Sequence, residues 1–417
     1  MISRRAFIKA GGVALFGIGV GGVPTFVTRA AAQAKIISPF KKNKILVCIF
    51  QRGAMDGLMA VPPFTDEYLK AARPTLFMDA HSKGSLIDLD GRFGLHPGFQ
   101  SFQPLFQQKQ LAIVHGMGSP NNTRSHFDAQ DYMESGTPFN KGTASGWLNR
   151  AVGLLGHDAS PFRAVSLTNN LPRSFYGDNP SLAINNLNDF SIQLKGNNKA
   201  IPLAAQSFEE LYDQTTNELL KQTGKESFEA IKMLQKTDVK NYKPSNNAVY
   251  PSTALGNALK QIAQLIKMDV GLEVAFAESS GWDTHFNQGT DKGVFSRNAQ
   301  DLSNSITAFW NDINLLQNDV TLMTMTEFGR TVKQNGTGGT DHGRGSCMFI
   351  IGNDIQGGKV HGKVEPLAVE NLEDGRDLAV TTDFRSIFSE VADKHLTLAN
   401  DSILFPEWNG TKIGVMK

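Results

Sequence analysis

The stretch from Met325 to Ser346, MTEFGRTVKQNGTGGTDHGRGS, places acidic, basic and imidazole side chains directly after an apolar segment. Glu327 ends that segment, and a glycine-rich gap separates it from Asp341 and His342. A carboxylate at the end of a buried strand needs a cation or a hydrogen-bond donor. The alternatives are an ion pair between Glu327 and Arg330, and an Asx-type turn with a solvated His342. We predict that Glu327 and His342 bind a metal ion and that Asp341 orients a ligand.

A second candidate pair lies in the motif GWDTH, where Asp283 and His285 are two residues apart. In an extended loop, side chains with this spacing point to the same side. Carboxylate and imidazole together are usual ligands of zinc, manganese and iron. The alternative is an aspartate that only orients a surface histidine. We predict that both residues are metal ligands.

The segment NNTRSHFDAQD favours a loop that turns into a helix, with Thr123 and Ser125 near the helix N-terminus. Free N–H groups and the positive end of the helix dipole suit an oxyanion or an activated hydroxyl at such a place. We therefore consider Ser125 a candidate nucleophile, with Thr123 as a second choice. The alternative is that Ser125 is an ordinary N-cap.

Further arginines and histidines complete the set of chemically capable residues. Forked guanidinium groups can clamp a phosphate or a sulfate, and Arg330 is the first candidate for this catalytic role. Imidazoles near a strand end can be ligands or structural residues, and both alternatives stay open. The other arginines considered are Arg124 and Arg344, and the histidines are His115 and His126.

Six short apolar runs indicate the strands that must position these residues. Most are continuously apolar rather than alternating, which is typical of strands covered on both faces. Four of the six are followed by carboxylates, imidazoles or hydroxyls, including Asp56 in QRGAMDGL after the first run. Ligands bind outside the carboxyl ends of strands in an open parallel sheet, so we predict one site there. The runs are 44–50, 111–117, 163–168, 272–277, 320–326 and 347–352.

One helix between two of these runs has a strict apolar stripe. Its apolar residues recur at steps of four and three, from Phe295 through Ala299, Leu302, Ile306, Phe309 and Ile313 to Leu316. It connects the runs 272–277 and 320–326, which predicts a βαβ unit with a right-handed crossover. The sequence therefore predicts an α/β fold with a mostly parallel central sheet and helices on both faces.

The remaining chain suggests a single domain over residues 35–417 with one insertion. Ser207 begins a capping-box pattern that predicts a long helix to about residue 235. A polar, proline-containing segment, 236–253, follows as a loop or hinge. We predict that 170–253 is a cap or insertion over the site.

The N-terminus resembles an export signal of the twin-arginine type. Arg4 and Arg5 precede a weakly apolar run that ends in TRAAAQA, which has small-residue cleavage options after Ala32 or Ala34. An uncleaved membrane anchor is the alternative. The expected partner is the twin-arginine export machinery, which carries folded proteins, often with a cofactor inserted. We expect a periplasmic or secreted protein with no stable membrane span after cleavage.

Charge and cysteine usage exclude some classes of function. Residues 1–34 carry four basic residues and no acid, so 37 basic residues face 40 acidic ones in the remainder, a net charge of −3. Nothing in this balance suggests nucleic acid as a partner. Cys48 and Cys347 lie within apolar runs, which favours two buried thiols over a disulfide.

Taken together, the motifs resemble the bacterial family known as domain of unknown function 1501. They are GAMDGL, LHPGF, LAIVHGMG, NTRSHFDAQDYMESG, GWDTHFNQ, TMTEFGRT, GGTDHGRGS and TTDFRSIFSEV, spread from about Lys44 to Glu390. That family is similar to the alkaline phosphatase and sulfatase-like superfamily, whose sheet carries metals and a Ser or Thr nucleophile at its strand ends. The resemblance implies an alkaline-phosphatase-like fold.

Carried over to this chain, the resemblance implies a role for six positions. Asp56 would hold one metal, Ser125 (or Thr123) would be the nucleophile, and Asp283 and His285 would bind the other metal. Glu327 stands where the superfamily usually has an Asp-His pair, and His342 would be a late ligand.

The function expected from the sequence is an exported, metal-dependent hydrolase of phosphate or sulfate esters. One or two divalent ions, zinc or manganese, would lower the pKa of Ser125 or of a bound water. The substrate would be a small-molecule or polymer ester. Two alternatives are a non-catalytic exported binding or assembly protein on the same fold, and a metal-free hydrolase that uses Ser125.

Overall fold

A mixed sheet of ten strands forms the centre of the computed structural model, which describes residues 15–16, 43–81, 84–156, 160–187, 229 and 241–417. Its main order is β1-β7-β6-β8-β2-β9-β10-β5-β11, and β12 pairs with β5. A separate hairpin consists of β3 and β4. The strands are β1 (Leu15–Phe16), β2 (Ile45–Gln51), β3 (Ile87–Asp88), β4 (Gly94–Leu95), β5 (Leu111–Gly118), β6 (Ala164–Ser166), β7 (Leu182–Ala183), β8 (Val274–Ser279), β9 (Val320–Met325), β10 (Ser346–Ile351), β11 (Lys359–His361) and β12 (Thr382–Asp383).

Most of the sheet is parallel, as predicted. β2 pairs in parallel with β8 and β9, and β6 pairs in parallel with β7 and β8. β10 runs antiparallel to both β9 and β5, so β5 points in the same direction as β9. The carboxyl ends of β5, β9, β2, β8, β6 and β7 therefore meet at one edge of the sheet, and β10 begins there.

Each of the six apolar runs forms a strand close to its predicted bounds. All seven residues of β2 and all eight of β5 are buried, which fits strands covered on both faces. The direction of β10 was not predicted. Its run, SCMFII, is equally compatible with either direction, because an apolar pattern does not record strand polarity.

Helices cover both faces of the sheet. Val47 and Ile49 of β2 belong to one buried cluster with α6 and α7, whereas Leu46 and Cys48 belong to another with α5 and α8. The α-helices are α1 (Gly57–Ala60), α2 (Glu67–Ala72), α3 (Gln103–Gln107), α4 (His126–Ser135), α5 (Trp147–Leu154), α6 (Ala254–Lys267), α7 (Val294–Ile313), α8 (Phe384–Leu396) and α9 (Asp401–Leu404). Short 3-10 helices span Pro97–Phe102, Arg173–Phe175, Asn314–Asp319 and Val369–Asn371.

The predicted apolar stripe is the buried face of α7. Phe295, Ala299, Leu302, Ile306 and Phe309 are completely buried. α7 connects β8 to β9, and both strands pair with β2, which lies between them. Each large apolar side chain buried in this way contributes about 1.5–3 kcal/mol. Packing of this stripe against one face of the sheet thus holds in place the loops at the ends of β8 and β9.

Cys48 and Cys347 are free, buried thiols, as predicted. Burial raises the pKa of both thiols, which keeps them protonated and unreactive.

Two predictions on the chain's organisation lie outside the described residues. They are the export signal, of which only Leu15 and Phe16 are described, and the helix from Ser207 to about residue 235. Of the predicted cap, 170–253, the structure describes 170–187, 229 and 241–253, and β7 within it pairs with β6. None of the described helices is both long enough and apolar enough to cross a membrane.

Candidate metal centre

Three histidine side chains meet at the carboxyl edge of the sheet. The Nε2 atom of His342 is 2.9 Å from Nε2 of His126 and 2.9 Å from Nε2 of His285. Asp283 lies against all three rings. Its Oδ1 is 3.1 Å from Nε2 of His285 and 3.4 Å from Nε2 of His342, and its Oδ2 is 3.5 Å from Nε2 of His126. The ligand atoms of His126, Asp283 and His342 all lie within 4.8 Å of one another and therefore surround a common point. His285 contacts this group through Asp283 and His342.

The other nitrogen of each ring faces an acceptor. Nδ1 of His126 is 2.8 Å from Glu327 Oε1, and Nδ1 of His285 is 3.0 Å from Asp341 Oδ1. Nδ1 of His342 is 2.9 Å from the carbonyl oxygen of Arg124. An ionised carboxylate and a carbonyl can only accept, so each Nδ1 carries the hydrogen. In the neutral rings, the Nε2 lone pairs of His126 and His285 then both face the Nε2 lone pair of His342.

Electrostatics keep the three carboxylates of this cluster ionised. Burial raises the pKa of Asp283 and of Glu327, but hydrogen bonds from Arg330 and from His126 outweigh it, so both pKa values lie below the ordinary range. Hydrogen bonds from Asn335 and His285 lower the pKa of Asp341. Three carboxylates against the single Arg330 leave a charge of −2, which one divalent ion would balance.

The pKa values of His126 and His342 shift in opposite directions. The hydrogen bond to Glu327 raises the pKa of His126 against the effect of burial. Burial lowers the pKa of His342, although its hydrogen bond to Arg124 acts in the opposite direction. The three Nε2 atoms thus fit either a metal ion or a proton on His126 that is shared with His342.

Four chain segments bring the cluster together. His126 is the first residue of α4, which follows β5, and Asp283 and His285 lie in the loop after β8. Glu327 follows β9, and His342 lies shortly before β10. Each segment starts or ends at the same edge, so the parallel strand order alone places them within reach.

A short antiparallel pairing returns the chain from Glu327 to His342. Arg330 and His342 form an isolated bridge, and the N–H of Gly343 donates to the carbonyl of Gly329. The N–H of Thr331 donates to the carbonyl of Asp341. Gly329 and Gly343 are needed here, because a Cβ on Gly343 would lie 2.4 Å from the carbonyl carbon of Arg330. The glycine-rich gap is therefore the turn of a small hairpin.

The structure places Glu327 behind a ligand rather than among the ligands. Its side chain is fully buried, and Oε1 accepts hydrogen bonds from His126, from Gln130 and from the N–H of Gly53. Oε2 accepts from the hydroxyl of Thr326. With these donors around it, Glu327 faces His126 and not the common point. The prediction of Glu327 as a ligand is corrected to a residue that orients His126.

The structure likewise separates Asp56 from the cluster. Both of its oxygens accept from the buried guanidinium of Arg73, at 2.7 and 3.0 Å. They also accept from the N–H groups of Leu58 and Met59 and from the side chain of Gln288. Asp56 is the N-cap of α1 and half of a buried ion pair, so no lone pair is left for a metal. It is not retained as a ligand.

The arginines predicted to hold an oxyanion are engaged with protein groups. Arg330 is fully buried and donates to Asp283 Oδ1 at 2.7 Å and to the carbonyl of Thr340. Arg124 pairs with Asp374 and Asp377, and Arg344 pairs with Glu373. Arg330 thus positions Asp283 and does not reach a substrate, which corrects its predicted catalytic role. The geometry gives no oxyanion clamp among these three.

Ser125 lies beside the cluster at the start of α4. It is exposed, and its hydroxyl makes no capping hydrogen bond, although it occupies the N-cap position. Thr123 accepts instead from the N–H of Ser125. The structure therefore leaves Ser125 accessible, one residue before His126. No general base contacts it within the described part of the chain.

Sequence reasoning left one residue of this site undecided and did not consider another. His126 was left open as a ligand, whereas His115 is buried away from the cluster, between the carbonyl of Val61 and the N–H of Gly116. Gln130, which supports Glu327, was not considered. A signal was present in SHFDAQD, because Gln130 lies one helical turn after His126 on the same face.

Comparisons with known proteins identify a family but no individual related protein. The model of a family described as "Protein of unknown function (DUF1501)" matches residues 107–404. Neither the curated proteins nor the solved structures contain a significant match. The matched range includes His126, Asp283, His285 and His342.

Proposed function

We propose that this chain, which belongs to the DUF1501 family of proteins of unknown function, is a divalent-metal-dependent hydrolase. The proposed ligands are Asp283 and the Nε2 atoms of His126 and His342, with Nε2 of His285 as a fourth. The observation that carries the proposal is the contact of His342 Nε2 with the Nε2 atoms of both His126 and His285, although each ring donates its Nδ1–H to a separate acceptor. Lone pairs at this distance repel one another unless a cation lies between them.

The spacing of the nitrogens fits a transition-metal ion. Two ligands about 2.0–2.1 Å from zinc, with an angle of about 90–109° between them, are about 2.9–3.3 Å apart. The observed separations of 2.9 Å lie at the lower end of that range. A set of nitrogen and carboxylate donors suits zinc, and also manganese or iron.

Access to solvent favours a catalytic centre over a structural one. The side chains of His126 and His342 are 24% and 27% exposed, and those of His285 and Asp283 are 42% and 45% exposed. Structural zinc sites are closed, whereas catalytic sites keep one position open for water or substrate. The exposed hydroxyl of Ser125, beside a ligand, is consistent with an open site.

The residues around the proposed ligands each have a separate role. Glu327 and Asp341 hold the rings of His126 and His285 with Nε2 directed inward. Arg330 fixes one oxygen of Asp283. A divalent ion held there would supply Lewis-acid chemistry, which polarises an ester oxygen and lowers the pKa of water. The N-terminus of α4 offers N–H groups to developing negative charge.

The substrates proposed are phosphate or sulfate esters. This choice rests on the resemblance to the alkaline phosphatase superfamily and on the site's position at the carboxyl ends of parallel strands. Ser125 is the proposed nucleophile, and direct attack by water is the alternative that a variant separates. Ser125→Ala abolishes turnover in the first case and leaves most of it in the second.

Metal analysis of the purified full chain tests the centre itself. We expect about one zinc or manganese ion per chain in the wild type, and almost none in the His126→Ala/His285→Ala variant. The His81→Ala/His361→Ala variant removes two histidines outside the cluster and should retain the metal. Equal metal content in all three proteins would contradict the site and would leave a protonated His126 as the explanation of the geometry.

An activity screen tests the reaction. Phosphomonoesters, phosphodiesters and sulfate esters are offered to protein loaded with zinc or manganese, and to protein treated with a chelator. We expect hydrolysis that the chelator and the His126→Ala/His285→Ala variant both abolish. Bound metal without turnover on the whole panel would favour the non-catalytic binding or assembly protein. Turnover that survives the chelator would support a metal-free hydrolase.

A further inference from the structure

A polar cleft of about 640 Å³ opens at the same edge of the sheet as the candidate metal centre. Its walls follow the carboxyl ends of β6, β7 and β8, and α6 forms one side. Ser280 lines the cleft three residues before Asp283 in the same loop. Cleft and centre are therefore neighbours that share the loop after β8.

The lining is made mainly of amide side chains. Of its fourteen lining residues in the described part of the chain, six carry an amide and only Lys260 and Glu278 are charged. Each amide offers both donors and an acceptor. The side chains of Asn169, Asn185 and Asn257 make no hydrogen bond to another described residue.

A chain of hydrogen bonds connects the cleft to the centre. Arg52 donates to Glu278 Oε1, at 3.0 and 2.7 Å, on the cleft side. It also donates to Gln130 Oε1 at 3.2 Å, and Gln130 donates to Glu327. Arg52 also pairs with Glu134, at 2.6 Å, so its charge is shared between two carboxylates. It connects the cleft wall at Glu278 to Gln130, on the helix that begins at His126.

From this lining and placement, we infer that the cleft binds the carbohydrate portion of the substrate. A sugar presents many hydroxyl groups, each both donor and acceptor, and these match amide side chains better than any other common ligand does. A sugar in the cleft directs an ester substituent along the loop after β8 toward Asp283. The position of the ester rests on the proposed function, whereas binding of the sugar does not.

Other ligand classes fit the lining less well. A nucleotide or polyphosphate needs several cationic donors, and Lys260 is the one lining cation among the described residues. A peptide that adds a strand to a sheet is held mainly by main-chain hydrogen bonds, so it would make little use of the amide side chains in this lining. The substrate class inferred is therefore a phosphate or sulfate ester of a neutral sugar.

Saturation-transfer NMR with the chelator-treated full chain tests sugar binding without catalysis. The probes are short gluco-, xylo-, galacto- and chito-oligosaccharides, a mixed peptide and adenosine monophosphate. We expect at least one oligosaccharide to bind. Loss of the amides in Asn169→Ala/Asn257→Ala should weaken its Kd about tenfold to a hundredfold. The matched control, Asn170→Ala/Asn311→Ala, removes two exposed amides outside the lining and should keep the wild-type Kd.

The outcomes separate this inference from the proposed hydrolase. Oligosaccharide binding that the cleft variant loses supports the subsite, even if no metal is found. Binding of none of the oligosaccharides, or binding unaffected by the cleft variant, overturns it, even if ester hydrolysis is observed. Binding of the peptide or the nucleotide alone also overturns it, because the class of ligand would then be different.

Discussion

At the scale of single residues, Glu327 and Asp341 make the same kind of contact, but one side chain is buried and the other is exposed. Each accepts from the Nδ1–H of a clustered histidine, at 2.8 and 3.0 Å. Glu327 is fully buried, whereas the side chain of Asp341 is 54% exposed. Water screens an exposed charge far more than a buried one. The two carboxylates therefore should not support their histidines equally.

We predict that Glu327→Gln weakens metal affinity about tenfold to a hundredfold, the usual effect of losing an outer partner of a ligand. The amide is nearly isosteric and can still accept from His126, so the loss reports charge rather than shape. Asp341→Asn should have a clearly smaller effect. Zinc titration against a competing chelator measures both.

A control separates orientation of the ligand from stability. Glu273→Gln removes another buried carboxylate, which pairs with Arg163 beside the opposite end of β8. It should lower thermal stability without changing metal affinity. If Glu327→Gln binds zinc as tightly as the wild type, Glu327 has no role in orienting His126.

Individual site residues also show what the sequence could and could not predict. Asp283, His285 and His342 were predicted as ligands from their residue types and spacing, and the structure brings their side chains into contact. Glu327 and Asp56 were identified as important carboxylates, but each was given the wrong partner. A carboxylate after a strand looks the same whether it faces an ion, a histidine or Arg73, because burial and partner are set by distant segments.

At the scale of elements, the strands were predictable and their connections were not. Continuously apolar runs gave six of the twelve described strands, because burial on both faces leaves a strong pattern. The other six have only two or three residues each, too few to leave one. The stripe from Phe295 to Ile313 gave α7 for the same reason. The hairpin between β9 and β10 left no such pattern. It depends on backbone pairing of Arg330 with His342, which is independent of most side chains.

Gly343 is the position where this hairpin is most sensitive. A Cβ there would meet backbone atoms of Arg330 and Thr331 at 2.4–2.8 Å, which cannot move aside as a side chain could. We predict that Gly343→Ala shifts His342 out of the cluster. Overpacking of this kind costs about 1–3 kcal/mol, and zinc affinity should fall at least about tenfold, since ligand positions must be accurate.

Gly336 provides a matched control in the same loop. A Cβ added there would find no atom within 4 Å. Gly336→Ala should therefore leave both the melting temperature and zinc affinity close to wild type. If Gly343→Ala behaves in the same way, the hairpin does not determine where His342 lies.

At the scale of the whole molecule, three buried histidines outside the cluster tie distant segments together. Nε2 of His395, on α8, contacts the carbonyl of Ile45 in β2. Nε2 of His115, in β5, contacts the carbonyl of Val61, and Nε2 of His96 contacts that of Thr290. Burial lowers the pKa of each of these three rings to about 4. They are neutral in the folded protein and must stay neutral to remain buried.

This arrangement predicts that mild acid destabilises the fold. Because the three folded-state pKa values lie below the ordinary value of 6.5, the unfolded chain takes up protons that the folded chain excludes. Their stabilising effect is complete above pH of about 6.5 and is lost progressively toward pH of about 4. Each ring should lower the free energy of unfolding by about 2 kcal/mol between pH of about 7 and about 5.

Urea unfolding across this pH range, with the metal removed by a chelator, measures the effect without a contribution from the centre. His395→Gln should reduce the slope of stability against pH by about a third, since one of the three rings is gone. His81→Gln, which removes an exposed histidine, should keep the wild-type slope. A wild-type stability that stays constant from pH of about 7 to about 5 would show that these rings do not stay neutral in the folded state.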